Sequence, residues 1–310
     1  MTTGVEEKLR AISQDQTHGA AFLAREALEA MKLAAAESAA AGVDSFLRGM
    51  ARLGCRLISL RPSMSAPIAN GVVRVFDAVL QAAKEKADLR RVRQMTCEAV
   101  DRLSKVAEDN ADKTVMHASR IIPKNATILT HSYSETCLRG LLACAEKGIR
   151  VCATESRPLL EGRKMAESLR QGGINVTLIT DAEAGHFMPE VQVVLVGADT
   201  ILEDGSVVNK MGTYLIALAA KDKGVPFHVA CDSWKVRIES GVPELEEKSP
   251  DEVAEGTAGV PARNVYFDIT PARLVTKIIT EDGELSPVEV VRKQERWKNV
   301  LEKMNELAQS

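Results

Sequence analysis

The chain has 310 residues, enough for two domains or one large domain with a cap. Its 40 basic residues nearly balance 43 acidic ones, so no basic stripe marks nucleic acid as a direct partner. No apolar run approaches membrane-spanning length and MTTGVEEKLR lacks an apolar signal core, so a soluble, cytoplasmic protein without membrane contact is expected.

Residues 1–120 read as helical. GAAFLAREALEAMKLAAAESAA is rich in Ala, Leu, Glu and Lys and poor in β-branched residues, and VDSFLRGMARLGCRLISL and the stretch from about Val72 to Ile122 repeat the pattern. A break is expected over LRPSMSAPIANG (60–71), where two prolines and a glycine oppose a continuous helix.

From Asn125 the texture changes. Short apolar runs recur: ATILTH, IRVCATE, INVTLIT, VQVVLVGAD, VPFHVAC and TKIIT, with helical segments such as TCLRGLLACAEKG and EGRKMAESLRQGG between the earlier ones. Nearly continuous Val/Ile runs alternating with helices predict a mainly parallel sheet covered on both faces, a doubly wound α/β domain. The expected organisation is a helical domain over 1–122 followed by a Rossmann-like α/β domain over 123–310. Six scattered cysteines in mostly apolar surroundings read as reduced core thiols, and no Cys/His spacing suits zinc, so neither a metal nor a cofactor is expected.

In such sheets ligands bind outside the carboxyl ends of the strands. Those ends carry Thr130, His131, Ser132, Tyr133 and Ser134; then Glu155, Ser156, Arg157 and Pro158; then Asp181, Gly185 and His186; then Gly197, Ala198, Asp199 and Thr200, followed by Asn209, Lys210, Gly212 and Thr213. The set suits a phosphorylated, hydroxyl-rich small molecule. Arg157 would hold phosphate bidentately and Lys210 as a point charge. Backbone N–H groups of a helix starting near Ser134 favour an anion. Asn209 and Asp199 would bind sugar hydroxyls, and Asp199 is also placed to shuttle a proton. Neither GxGxxG after a strand nor GxxxxGK[ST] occurs, so dinucleotide and P-loop chemistry are unsupported.

Taken singly, each residue also has a plain structural role open to it. Arg157 before a proline reads equally as a loop cap or a surface ion pair. Asp199 suits a turn, Ser132 and Ser134 suit helix caps, and His131 and His186 suit satisfied structural histidines.

The runs ILTHSYSETCLRGLL, ATESRPLLEGRKMAESL and VVLVGADTILEDGSVVNKMGTYLIAL together resemble the family of the translation initiation factor 2B alpha subunit, which includes ribose-1,5-bisphosphate isomerase and methylthioribose-1-phosphate isomerase. The resemblance covers most of the chain and is strongest over residues 125–235. It implies a helical N-terminal domain, a Rossmann-like domain and a dimer formed through the latter. It also implies site residues. Where the isomerases keep Arg-Gly-Ala, this chain has His18, Gly19 and Ala20, without the arginine. Their Arg-Pro-Thr-like segment matches Arg61, Pro62 and Ser63, their phosphate-binding arginine Arg157, their catalytic aspartate Asp199, and their Asn-Lys pair Asn209 and Lys210. Their catalytic cysteine falls at Ser132. A thiol with a pKa near 8.5 can share proton transfer with a carboxylate, whereas a serine hydroxyl needs an adjacent base. His131 is expected on the opposite face of the strand. Cys137, five residues on, would lie about 140° around a helix from Ser132.

The leading expectation is therefore a translation-factor-2B-alpha-like binding or regulatory protein for a sugar phosphate or nucleoside monophosphate. It would form a homodimer or a higher oligomer, with other initiation factor 2B-type subunits as further partners. The alternative is an aldose-phosphate isomerase such as ribose-1,5-bisphosphate isomerase. In either case the expected site is Asp199 and Ser132 at the chemistry, with Gly19, Ala20, Arg61, Arg157, Asn209 and Lys210 binding the ligand.

Overall fold

The structure, a computed structural model, describes residues 2–15, 18–85, 87–245, 247–254 and 259–310. Five helices come first: α1 (Thr3–Gln14), α2 (Ala20–Ala36), α3 (Val43–Ser59), α4 (Ser65–Lys84) and α5 (Leu89–Arg120). Then follow β1 (Thr127–Thr130), α6 (Glu135–Leu142), β2 (Arg150–Thr154), α7 (Glu161–Gln171), β3 (Asn175–Ile179), α8 (Ala184–Phe187), β4 (Val193–Val196), β5 (Thr200–Ile201), β6 (Val207–Lys210), α9 (Thr213–Lys223) and β7 (Phe227–Ala230). The chain closes with α10 (Asp251–Ala254), β8 (Phe267–Thr270), β9 (Lys277–Thr280), β10 (Gly283–Leu285), α11 (Pro287–Arg292) and α12 (Arg296–Gln309).

Two compact units emerge, one of residues 1–109, 234–243 and 291–310 and the other of 110–233 and 244–290. This division differs from the single cut expected at 122. The first unit regains two later segments, for identifiable reasons. Asn70, wholly buried in α4, donates its amide to the carbonyls of Trp234 (2.8 Å) and Val236 (2.6 Å), which fastens the 234–243 segment. The amphipathic α12 buries Leu301 and Met304 and packs on α3 and α4. Arg74 of α4 lies over the rings of both Trp234 (5.0 Å) and Trp297 (4.3 Å) and donates to Gln294 (2.8 Å), cross-linking both returning segments. The break at 60–71 is also shorter than its composition suggests. Pro67 stands in the first turn of α4, where a missing N–H costs nothing, and Gly71 continues the helix beneath Leu28 and Trp234.

The second unit holds a seven-stranded sheet in the order β10-β9-β7-β4-β1-β2-β3. Every pairing is parallel except β10 with β9. The mainly parallel α/β class read from the Val/Ile runs is the class observed. The core around β1, β2 and β4 is built from Ile128, Val151, Ala153 and Leu195, with Cys137, Leu141, Met165 and Leu169 of α6 and α7 above it. A second, three-stranded sheet, β5-β6-β8, is wholly antiparallel. It is absent from the sequence reading because β5 has only two residues, and VVNK and FDIT carry polar residues that obscure the strand pattern.

No helix among the described residues is long and apolar enough to cross a membrane.

Candidate functional site

The strand order reverses at β1. From β1 the chain proceeds to β2 and β3 on one side, then returns to β4, β7 and β9 on the other. Helices that leave β1 and β4 toward opposite sides open a crevice at their carboxyl ends. Ser132 follows β1 and Asp199 follows β4, so the two residues expected at the chemistry flank this switch point. The two loops touch: a Cβ built on Gly197 would lie 2.7 Å from Ser134 Oγ, so the close approach requires glycine there. Ser134 itself caps α6, accepting the Cys137 N–H at 3.3 Å.

His131 organises the β1 end. Its ring is buried, with Nε2 2.9 Å from the Met211 carbonyl and Nδ1 2.6 Å from Thr154 Oγ1. A carbonyl only accepts, so Nε2 carries the proton and Nδ1 accepts from the Thr154 hydroxyl. Burial lowers the His131 pKa, which keeps the imidazole neutral and makes its 3.8 Å approach to Asp181 a polar contact, not an ion pair. Gly212 has φ +109°, and a Cβ there would meet the His131 ring at 3.2 Å, so glycine permits the contact with Met211. The structural role open to His131 is the one it fills.

Ser132 is not a strand residue. Its φ is +65°, in the left-handed region, and so is that of Ser156, +61°, at the end of β2. The two are linked, because the Ser132 N–H donates to Ser156 Oγ at 2.7 Å. The strand alternation assumed for His131 and Ser132 therefore ends at Thr130. The Ser132 hydroxyl is half-buried and has no hydrogen-bond partner among the described residues. Cys137 is fully buried and burial pushes its thiol up to about 12, so it supplies no thiolate.

At the β2 end Arg157 precedes a cis Pro158. Its guanidinium is exposed and, among the described residues, makes only a long contact, 3.5 Å, with the Glu252 carbonyl. No carboxylate claims it among the described residues, so the surface ion pair considered for it does not form. Lys210 differs from expectation. It is 6% exposed, its ammonium is 2.7 Å from Glu161 Oε1, and it lies over Tyr266 (4.5 Å) and Phe267 (5.5 Å). Its charge is committed to α7, whereas the charge of Arg157 is open to a ligand. Asn209, buried, donates to Thr213 Oγ1 at 3.0 Å, and that hydroxyl donates to the Lys210 carbonyl at 2.6 Å. Asp199 is half-buried and its N–H donates to the Val208 carbonyl at 3.0 Å, which ties the β4 exit to the small sheet.

Gly19, Ala20 and Arg61 belong to the helical unit. Arg61, 6% exposed, donates to the Asp15 carbonyl. The Asp15 carboxylate accepts from the His18 N–H (2.8 Å) and ring (2.7 Å), and that ring stacks on Phe22 at 3.9 Å. Gly19 is the N-cap of α2 and Ala20 its buried first residue. Arg61 and the start of α2 thus converge within their own unit, with His18 occupied by Asp15.

Asp268 and Glu161 had no part in the sequence reading. Asp268 Oδ2 accepts the N–H groups of Gly212 (2.8 Å) and Tyr214 (3.0 Å) at the start of α9, while Oδ1 is buried without a partner. One oxygen of Glu161 is likewise buried and unpartnered. Burial raises the Asp268 pKa to about 6, against the pull of its two backbone donors. No alternation or spacing announces either carboxylate, because each is defined by a tertiary partner.

A model described as the Initiation factor 2 subunit family matches residues 16–287. The ribose 1,5-bisphosphate isomerase of Methanocaldococcus jannaschii is 35% identical over 291 residues, 91% of this chain and 92% of that one. The structure of Pyrococcus horikoshii OT3 translation initiation factor eIF-2B is similar with a TM-score of 0.79 and 31% identity, over 94% of this chain and 100% of that one. The structure of 5-methylthioribose 1-phosphate isomerase from the same organism gives 0.73 and 26%, over 98% of this chain and 88% of that one. The chain belongs to the Initiation factor 2 subunit family.

Asp268 gives a pH dependence of known sign. With a folded pKa near 6 and an ordinary unfolded value, the folded chain holds a proton that the unfolded chain releases. Its contribution to stability is full below about pH 4 and is lost as pH rises toward 6. The full change is on the order of 3 kcal/mol. Asp268→Asn should remove that fall, so its stability relative to wild type should rise between pH 4 and 6 in urea titrations and stay level above. A difference that does not vary with pH would return Asp268 to the ordinary carboxylate range.

Proposed function

We propose that the protein is an aldose-phosphate isomerase acting on a pentose bisphosphate of the ribose 1,5-bisphosphate class, with Asp199 as principal acid/base and Arg157 on phosphate. The observation that carries this reading is the likeness over nine-tenths of the chain to a ribose 1,5-bisphosphate isomerase, joined to an aspartate at the switch point. It reverses the order of the two readings drawn from sequence, in which a binding or regulatory role led. In the reaction the sugar ring opens and a proton passes between neighbouring carbons. Asp199 takes and returns that proton. Arg157 fixes one phosphate by charge-assisted hydrogen bonds. Lys210 serves differently: drawing it to phosphate would leave Glu161, whose side chain is 26% exposed and whose Oε2 is already buried without a partner, without its cation, a cost below that of breaking a fully buried pair. It therefore positions α7 and lends its field, with Asn209 fixing the same strand. Gly19, Ala20 and Arg61 are proposed as ligand contacts of the helical unit taken by itself.

A second reading is favoured by one residue. With Ser132 where the resembling isomerases carry a cysteine, the site binds a sugar phosphate or nucleoside monophosphate without turnover, in the manner of the translation-factor subunits. Under the isomerase reading the same residue makes the wild type slow, since its hydroxyl does not share the proton with Asp199. Ser132→Cys should raise turnover of ribose 1,5-bisphosphate by about 10²–10⁴-fold, the usual effect of one positioned acid/base group. Asp199→Asn should abolish turnover while sparing binding. Brisk wild-type turnover that the cysteine variant does not improve would remove Ser132 from the chemistry. Binding without turnover in both proteins would move the second reading to first place.

Arg157→Ala should weaken binding of the same sugar phosphate by about 1.5–3 kcal/mol, the scale of a charge-assisted hydrogen bond. Unchanged affinity by calorimetry would confine Arg157 to its loop.

The proposed assembly is a homodimer through the α/β unit. Thr213, Ile216, Ala217 and Ala220 of α9 are buried, whereas Leu215 and Leu218 of α9 and Met211 just before it are exposed, Leu215 being 68% exposed. Such side chains are costly to leave in water. Light scattering should give twice the chain mass and Leu215→Arg should halve it; a wild-type monomer would refute the dimer.

A further inference from the structure

We propose that Asp181 is a positioning residue of the sugar-phosphate site, holding the Arg157 turn and, through Ser156, the Ser132 backbone. This rests on the reading that Arg157 contacts phosphate. Asp181 opens the short turn after β3, and that turn is itself braced: the Thr180 N–H (2.8 Å) and hydroxyl (3.0 Å) both donate to Glu183. From there the two carboxylate oxygens divide between consecutive residues, Oδ1 accepting the Ser156 N–H and Oδ2 the Arg157 N–H, each at 2.8 Å. The Ser156 hydroxyl then accepts the Ser132 N–H at 2.7 Å. One carboxylate thereby sets the position of the arginine backbone and, one bond further, the residue after β1.

Three features assign this role to Asp181 and not to general packing. An acid beside a phosphate site repels the ligand, so its negative charge has to be offset, and two donated N–H groups do so. Ser132 and Ser156 both hold left-handed φ values, which cost of order 1–3 kcal/mol apiece for non-glycine residues and persist only where neighbours impose them. Among the described residues the Arg157 side chain has no short contact, so its reach is fixed from its backbone. Asp181→Asn keeps the shape but replaces one acceptor oxygen by an N–H₂ group that faces a donor, which breaks one of the two bonds.

The test is a double-mutant cycle read by calorimetry with ribose 1,5-bisphosphate as probe. Asp181→Asn alone should weaken binding about tenfold, and in the Arg157→Ala background it should have no further effect. A purely structural loss would add to Arg157→Ala, and that additivity would overturn the proposal. So would full affinity in Asp181→Asn while Arg157→Ala binds weakly. Full affinity in Arg157→Ala is a different result: it refutes the phosphate assignment of Arg157 and, with it, the positioning role. Should Asp181→Asn fail to fold, Asp181→Glu carries the same cycle, because it keeps the charge and displaces the carboxylate by one methylene.

Discussion

The arrangement depends on one topological constraint, the reversal of strand order at β1. Because β1 pairs in parallel with both β2 and β4, the three strands end at the same side of the sheet, and the crossover from β1 through α6 to β2 and that from β4 through β5, β6 and α9 to β7 run in opposite directions along the sheet. The gap this leaves is filled by polar loops, whose conformations are fixed by hydrogen bonds more than by apolar contact. His131 is central to that fixation. Its neutral ring joins the β1 end to Thr154 on one side and to the Met211 carbonyl, just before α9, on the other. An uncharged imidazole does this at lower cost than a charged one, because nothing buried has to balance it. The burial that lowers its pKa also keeps it outside the chemistry.

A site built for an anion should not be rich in carboxylates, yet Asp181, Glu161 and Asp268 all belong to the elements around the strand ends. Each has its charge answered within the protein, and by different means. Asp181 is answered by two backbone N–H groups, Glu161 by the Lys210 ammonium, and Asp268 by two N–H groups and by burial that favours its protonated form. Lys210 and Glu161 cancel, which removes the lysine from the supply of free cations. Among the described residues Arg157 has no carboxylate partner. Under the proposed phosphate reading, selectivity comes from withholding the other charges as much as from offering this one.

The legible part of this protein was its periodicity. Six Val/Ile-rich runs marked six of the seven strands of the large sheet; for the inner strands this is because a strand buried on both faces must be continuously apolar, whereas β3 lies at the sheet edge with exposed residues. The rule of strand ends then placed Ser132, Arg157 and Asp199 without any contact being known. What escaped was whatever depends on a partner distant in sequence. The pairing of Lys210 with Glu161 escaped because nothing in NKMGT announces Glu161, nearly fifty residues earlier. The small sheet escaped because β5 and β8 lie more than sixty residues apart and neither is apolar enough to stand out. The unit boundary escaped because the amphipathic pattern of α12 shows that it packs, not on what. Pro67 and Gly71 misled in the other direction: a proline is harmless in a first turn, and a glycine is tolerated where Leu28 and Trp234 press close.

The same reasoning bears on why a serine at position 132 alters the chemistry more than the shape. Serine and cysteine differ little in volume, and the backbone there is set by Ser156 and the left-handed φ, not by the side chain. Either residue would therefore sit in the same place beside the β4 exit. The difference lies in the proton. A thiol near its ordinary value can give and regain a proton within the working range of a carboxylate partner, whereas a hydroxyl requires a base to lower its barrier. The nearest nitrogen base, His131, has Nδ1 occupied by Thr154 and its Nε2 proton directed at Met211. No second lone pair is left to activate the serine. Under the proposed isomerase reading, a site with this geometry keeps its affinity whichever atom stands at position 132, while the proton transfer falls to Asp199.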